Sequence, residues 1–112
     1  MVHLAEIGSL EFLSLSWTEI TDEGLQHLAR LTSLVTLDIG DNKIADAGLH
    51  HLRGLNNLQN LKLSRTQITD AGLLHLRGLK NLKTVNLTKS QVTAAGVTEL
   101  KKTLPDLNVI GP

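Results

Sequence analysis

The sequence predicts an α/β solenoid: a right-handed coil with a short parallel sheet on its concave side, short helices on its convex side, and about four and a half turns. Three observations predict it. Apolar residues recur in columns at a spacing of 24 along the 112 residues. Each 24-residue unit has a strand-like half and a helix-like half. A single unit cannot bury its own apolar face, whereas stacked units share one continuous core.

The columns are specific. Leu13, Leu37, Leu61 and Val85 form one, and two residues later come Leu15, Ile39, Leu63 and Leu87. Ile20, Ile44, Ile68 and Val92 form the next, and Leu28, Leu52, Leu76 and Leu100 close the unit. Leu61-Lys62-Leu63 alternates apolar and polar residues, the period of a strand. Leu73 and Leu76 stand three apart, the inner face of a short helix.

Asp22, Asp46 and Asp70 stand where that helix begins and are expected to cap it, with Thr93 taking the role in the fourth unit. Gly24, Gly48, Gly72 and Gly96 lie in the first helical turn. Glycine costs helix propensity there, so close backbone approach between coils is expected. Thr18, Asn42, Thr66 and Ser90 are placed to satisfy backbone groups where the chain leaves the sheet. Parallel strands pack about 4.8 Å apart and helices roughly 8–10 Å apart. The stack must therefore bend with its strands inside, and a strand–helix–strand crossover is right-handed.

Composition sets limits. Phe12 and Trp17 are the only residues among Phe, Trp and Tyr, so the core is aliphatic. Net charge is zero, but residues 1–56 hold eight acids against three bases and residues 57–112 the reverse. This polarity favours a partner with a matching gradient, or self-contact. There is no cysteine, hence no disulfide framework or thiolate site. No signal peptide or long apolar run appears, so no membrane partner is expected; the compartment is left open.

"LNNLQNLKLSRTQITDAGLLHL", from Leu55 to Leu76, resembles a leucine-rich repeat, L-x-x-L-x-x-L-x-L followed by a small polar residue. Its "ITDAGL" tail resembles the I-T-D-x-G-L-x-x-L subtype of many bacterial and planctomycete repeat proteins, related to the cysteine-containing repeats of F-box receptors. The cysteine positions of the F-box type hold Leu31, Leu55 and Leu79, or Thr18, Asn42, Thr66 and Ser90, here. No F-box segment is present, which favours the bacterial form. The resemblance implies a scaffold that binds a protein or peptide, not an enzyme.

The units divide as a partial repeat at 1–6, repeats at 7–30, 31–54, 55–78 and 79–103, and a closing strand in 104–112. Met1 falls in the column of Leu25 and Leu4 in that of Leu28. The chain thus starts midway through a coil without a polar cap, as expected of a piece of a larger protein or of an end covered by another chain. In the closing segment Leu104, Leu107 and Ile110 keep the leucine spacing one residue late.

Outward strand positions supply the candidate partner-binding residues: Phe12, Asp38, Lys62 and Asn86, with Trp17, Asp41, Arg65 and Lys89 just beyond the strands. An exposed tryptophan and an arginine near a concave centre are typical binding anchors. The competing reading is that Phe12 and Trp17 shield the first strand. His3, His27, His51 and His75 also repeat at 24, but helices roughly 8–10 Å apart hold imidazoles too far apart to share an ion. His50 and His51, adjacent on a helix, are expected to point apart. No metal site, cofactor or catalytic motif is expected. The basic half lacks interleaved aromatics, so no nucleic-acid partner is expected either. The alternative to a protein-binding scaffold is a structural homo-oligomer joined through coil ends or opposite charge halves.

Overall fold

The computed structural model describes residues 10–112; the partial repeat over 1–6, with Met1, His3 and Leu4, lies outside the described residues. Five strands, β1 (Phe12–Ser14), β2 (Thr36–Asp38), β3 (Asn60–Lys62), β4 (Thr84–Asn86) and β5 (Asn108–Ile110), form one parallel sheet in chain order. Leu13, Leu37, Leu61, Val85 and Val109 stand in file, each opposite the next. The ladder runs one residue past each strand: Leu15 N–H donates to Asp38 O at 2.8 Å, Ile39 to Lys62 O at 3.1 Å and Leu63 to Asn86 O at 2.8 Å.

On the convex side the coils are mostly 3₁₀: Gly24–Arg30, Asp70–Leu76, and a short α1 (Asp46–Leu49) continued as 3₁₀ by His50–Leu52. A 3₁₀ helix rises about 2.0 Å per residue against about 1.5 Å for an α-helix, so a few residues span the width of a coil. Among the described residues only the last helix, α2 (Ala94–Thr103), is a full α-helix, of 10 residues. The leucine columns fill the space between the layers. Leu28, Leu37, Ile39, Ile44, Leu52, Leu61, Leu63 and Ile68 are all fully buried, while Leu10, Leu13, Leu15 and Ile20 of the first coil are only partly so. No helix of the described residues is long and apolar enough to cross a membrane.

Two expectations about the helix starts are corrected. Asp22, Asp46 and Asp70 do not cap their own helices: the flanking positions are Glu23, Ala45 and Thr69, none with a side-chain capping bond. Each aspartate instead reaches the next coil. Asp22 Oδ1 accepts from Ala45 N–H, Asp46 Oδ1 from Thr69 N–H and Asp70 Oδ1 from Thr93 N–H, each at 2.8 Å. The Thr69 and Thr93 hydroxyls donate to the second oxygens at 2.5 Å. The reason is backbone shape: Ala45, Thr69 and Thr93 are extended, so their N–H groups lie outside any helix and need a partner. Thr93 does cap its helix, its hydroxyl accepting from Gly96 N–H at 3.2 Å.

Gly48, Gly72 and Gly96 follow from this ladder rather than from backbone contact, whereas at Gly24 an added methyl would meet the Ile20 side chain. A methyl group at Gly48, Gly72 or Gly96 would collide with Oδ1 of Asp22, Asp46 or Asp70 respectively. The D-x-G pattern is thus one device seen from two coils: the aspartate of one fills the space that glycine leaves in the next.

The closing strand also departs from expectation. Leu104 and Leu107 are buried one residue late, but Val109, not Ile110, continues the inward file. Asn108 N–H donates to Lys83 O at 2.8 Å and Leu87 N–H to Ile110 O at 2.7 Å, which holds Ile110 outward beside Asn86 and 44% exposed. The chain regains the 24-residue register by shortening the step between Leu107 and the strand.

Candidate partner-binding site

Beyond each of the first four strands the chain turns at a left-handed corner residue, and in the first coil Glu19, at φ 64°, is left-handed as well. Trp17, Asp41, Arg65 and Lys89 have φ of 60°, 57°, 56° and 59°. Such a backbone strains any residue with a Cβ by an amount of order 1 kcal/mol, and glycine would relieve it. None of these corners is glycine. The column behind them holds the turn together. The hydroxyls of Thr66 and Ser90 donate to Leu63 O and Leu87 O at 2.7 Å. The Asn42 amide donates to Leu15 O and Gly40 O at 2.9 and 3.0 Å, and its Oδ1 accepts from Thr18 N–H at 3.2 Å. Asn42 thereby ties two coils together.

The corners line an open groove of about 830 Å³ that runs from coil to coil. Glu19, Lys43 and Gln67 line it too, with Asn42 and Thr66. At one end stands Trp17, 73% exposed. In the middle, Arg65 Nη1 lies 3.6 Å from Asp41 Oδ1. That oxygen is buried without a hydrogen-bond donor, so the pair is an electrostatic contact and not a bidentate clamp. The Arg65 side chain is 57% exposed, and an ion pair this open contributes little to stability.

The candidate residues therefore fall into two groups. Trp17, Asp41, Arg65 and Lys89 share the groove. Lys62 and Asn86 lie on the sheet face, where they line a smaller hollow of about 220 Å³ with Thr36, Asn60 and Ile110. Asp38 and Asn86 are occupied by their own turns: Asp38 Oδ1 accepts from Gly40 N–H at 3.0 Å, and Asn86 Oδ1 from Thr88 N–H at 3.0 Å and its hydroxyl at 2.7 Å. Phe12, 61% exposed on β1, lines neither hollow. The sequence reading missed Glu19, Lys43 and Gln67. They form their own column two residues after the corners, and it varies between units as the corner column does.

On the convex face the histidines stand closer than expected. The His50 ring lies 5.5 Å from His51 and 5.8 Å from His75, both edge-on. The rings of His50 and His51 thus meet instead of pointing apart. Burial, and then the charges of Arg53 and His50, hold the His75 pKa below its ordinary value. No group of three or more His, Cys, Asp or Glu among the described residues could hold a metal ion.

The profile of the family described as Leucine Rich repeat matches residues 9–29, 30–52 and 54–76, more than half of the sequence. The chain belongs to the leucine-rich repeat family. Proteins of this family are commonly non-enzymatic, protein-binding scaffolds. Among curated proteins there is no significant sequence match. Among solved structures, this leucine-rich repeat chain is similar to internalin C2 of Listeria monocytogenes at 28% identity and a TM-score of 0.71, covering 97% of the chain and 54% of the internalin. It is also similar in fold to actin-binding site 2 of leiomodin-1, at 14% identity and a TM-score of 0.74 over 96% of the chain and 76% of the other. The Mex67:Mtr2 subunits of Chaetomium align at 20% identity and a TM-score of 0.72, over 95% of the chain and 80% of the other.

Proposed function

We propose that this chain is a non-enzymatic scaffold that binds a protein or peptide along the axial groove and the adjoining sheet face, with Trp17 as its main anchor. One observation carries the reading. Four successive coils place a large aromatic or charged residue at a left-handed corner, where glycine would fold with less strain. Strain held in this way at every coil is consistent with side chains kept for contact. The names of two structural neighbours, an actin-binding site and a complex of two subunits, favour a protein as partner. The Asp–Gly interlock between coils supports the I-T-D-x-G-L-x-x-L subtype.

The test is a quantitative pull-down with the wild type beside Trp17→Ala and Lys62→Glu. A partner retained by the wild type and lost from the variants supports the reading; identical partners for all three overturn it. A second reading, a homo-oligomer, rests on the opposite charges of the two halves. Light scattering at low and high salt separates the two, since a salt-insensitive monomer removes the second.

A further inference from the structure

The two ends of the axial groove differ in chemistry, and their separation specifies a ligand. This inference rests on the scaffold reading and narrows it to one class of partner. At the first coil, Trp17 offers an open aromatic face beside Glu19, a setting that attracts a cation. Two and three coils further on stand Arg65 and Lys89. Neither side chain donates a hydrogen bond among the described residues, and Arg65 touches Asp41 only as a loose ion pair. Two cations at successive corners of one groove suit a carboxylate.

Coils repeat about 4.8 Å apart, so the aromatic end lies roughly 10–14 Å from the basic end. An extended peptide rises about 3.3 Å per residue and returns its side chains to the same face every second residue. A pair four residues apart, about 13 Å, therefore fits both ends from one face, whereas closer or more distant pairs do not. We propose that the groove takes an extended peptide segment lying along the solenoid axis, with a basic side chain over Trp17 and Glu19 and an acidic side chain, four residues away, on Arg65 and Lys89.

The chain's single tryptophan is Trp17 itself, so its fluorescence reports directly on occupancy of the groove. The experiment titrates the full chain with blocked linear peptide pools. In these, one lysine and one glutamate are fixed two, four or six residues apart and the other positions are randomised among uncharged residues. The pool with the four-residue separation is expected to shift Trp17 emission and to bind about tenfold more tightly than the others. Arg65→Gln with Lys89→Gln should remove that preference. Both positions face solvent, so the fold is not at stake. Arg65→Glu with Lys89→Glu should restore binding to a pool in which lysine replaces the glutamate. Equal binding by all pools overturns the charge pairing and leaves the scaffold reading standing. If no pool shifts Trp17 while the wild type still captures a protein that Lys62→Glu loses, the inference fails and the site moves to the sheet face. If no pool binds and no partner depends on either face, both readings fall.

Discussion

Asp70 and Thr93, one coil apart, hold each other by two hydrogen bonds: Thr93 N–H to Oδ1 at 2.8 Å and the Thr93 hydroxyl to Oδ2 at 2.5 Å. The same threonine oxygen accepts from Gly96 N–H at 3.2 Å, so a single hydroxyl links the coil before it to the helix after it. Asp46 and Thr69 repeat the two-bond contact. Leucine burial drives the coils together without direction. These aspartates add direction, fixing the offset of one convex turn against the next.

The contact has a pH signature. The Thr93 hydroxyl, and then the Thr93 backbone N–H, hold the Asp70 pKa below its ordinary value of 3.8. A carboxylate with a depressed folded pKa binds fewer protons than it does when unfolded. Its contribution is therefore complete above about 3.8 and is lost as the pH falls through the folded value. Thr93→Val removes the larger cause, so a carbon-detected NMR titration should show the Asp70 midpoint moving up towards 3.8. The variant also loses the α2 cap, which costs about 1 kcal/mol at any pH. The pH-dependent part is read from the slope of stability between acid and neutral solution, which should flatten.

Asp22 has only one of the two arms, because Ala45 offers its N–H and no hydroxyl. Ala45 is already extended, at φ −125° and ψ −172°, a backbone that suits threonine. Ala45→Thr should therefore add the second bond and stabilise the chain by about 0.5–1.5 kcal/mol. Urea unfolding measures the gain. The same substitution in an Asp22→Ala background should show none, since the hydroxyl then has no carboxylate to reach.

How much of this was legible in the sequence depended on what each residue answers to. Leu13, Leu37, Leu61 and Val85 answer to burial, which repeats with the period, so the sheet and its register could be read directly. Asp22, Asp46 and Asp70 read as helix caps, but a helix-cap pattern is local and their partners lie 23 residues away. Leucine spacing alone puts Ile110 in the inward file, and spacing cannot register the single residue removed before β5. At the site, the variable outward columns were visible, but the left-handed corner was not. Trp17, Arg65 and Lys89 are not the residues that announce such a backbone, and without the corner nothing groups them with Glu19 or Lys43.

The coupling of glycine to aspartate gives a sharper test. At Gly96 the three nearest atoms an added Cβ would meet belong to Asp70. Helix propensity alone would make alanine better there by about 1 kcal/mol, yet Gly96→Ala should destabilise by about 1–3 kcal/mol through the clash. In an Asp70→Gly background, which also removes the Asp70 Cβ, the clash is gone and Gly96→Ala should become neutral or stabilising. A double-mutant cycle followed by thermal unfolding reads the change of sign. Additive effects would mean that the glycine column is kept for some other reason.

The corners themselves can be tested by relieving them. Lys89 is exposed, has φ 59°, and makes no side-chain hydrogen bond among the described residues. Lys89→Gly should remove left-handed strain of order 1 kcal/mol or more, offset in part by the extra freedom of the unfolded glycine. A net gain of up to about 1 kcal/mol is expected. If the groove binds through its corners, the same variant should bind its partner more weakly while unfolding at a higher temperature. Opposed movement of stability and affinity is what a residue kept for contact shows when it is removed. A variant that is both more stable and equally active would show that the lysine side chain does not contribute, and would leave Trp17 and Arg65 to carry the contact.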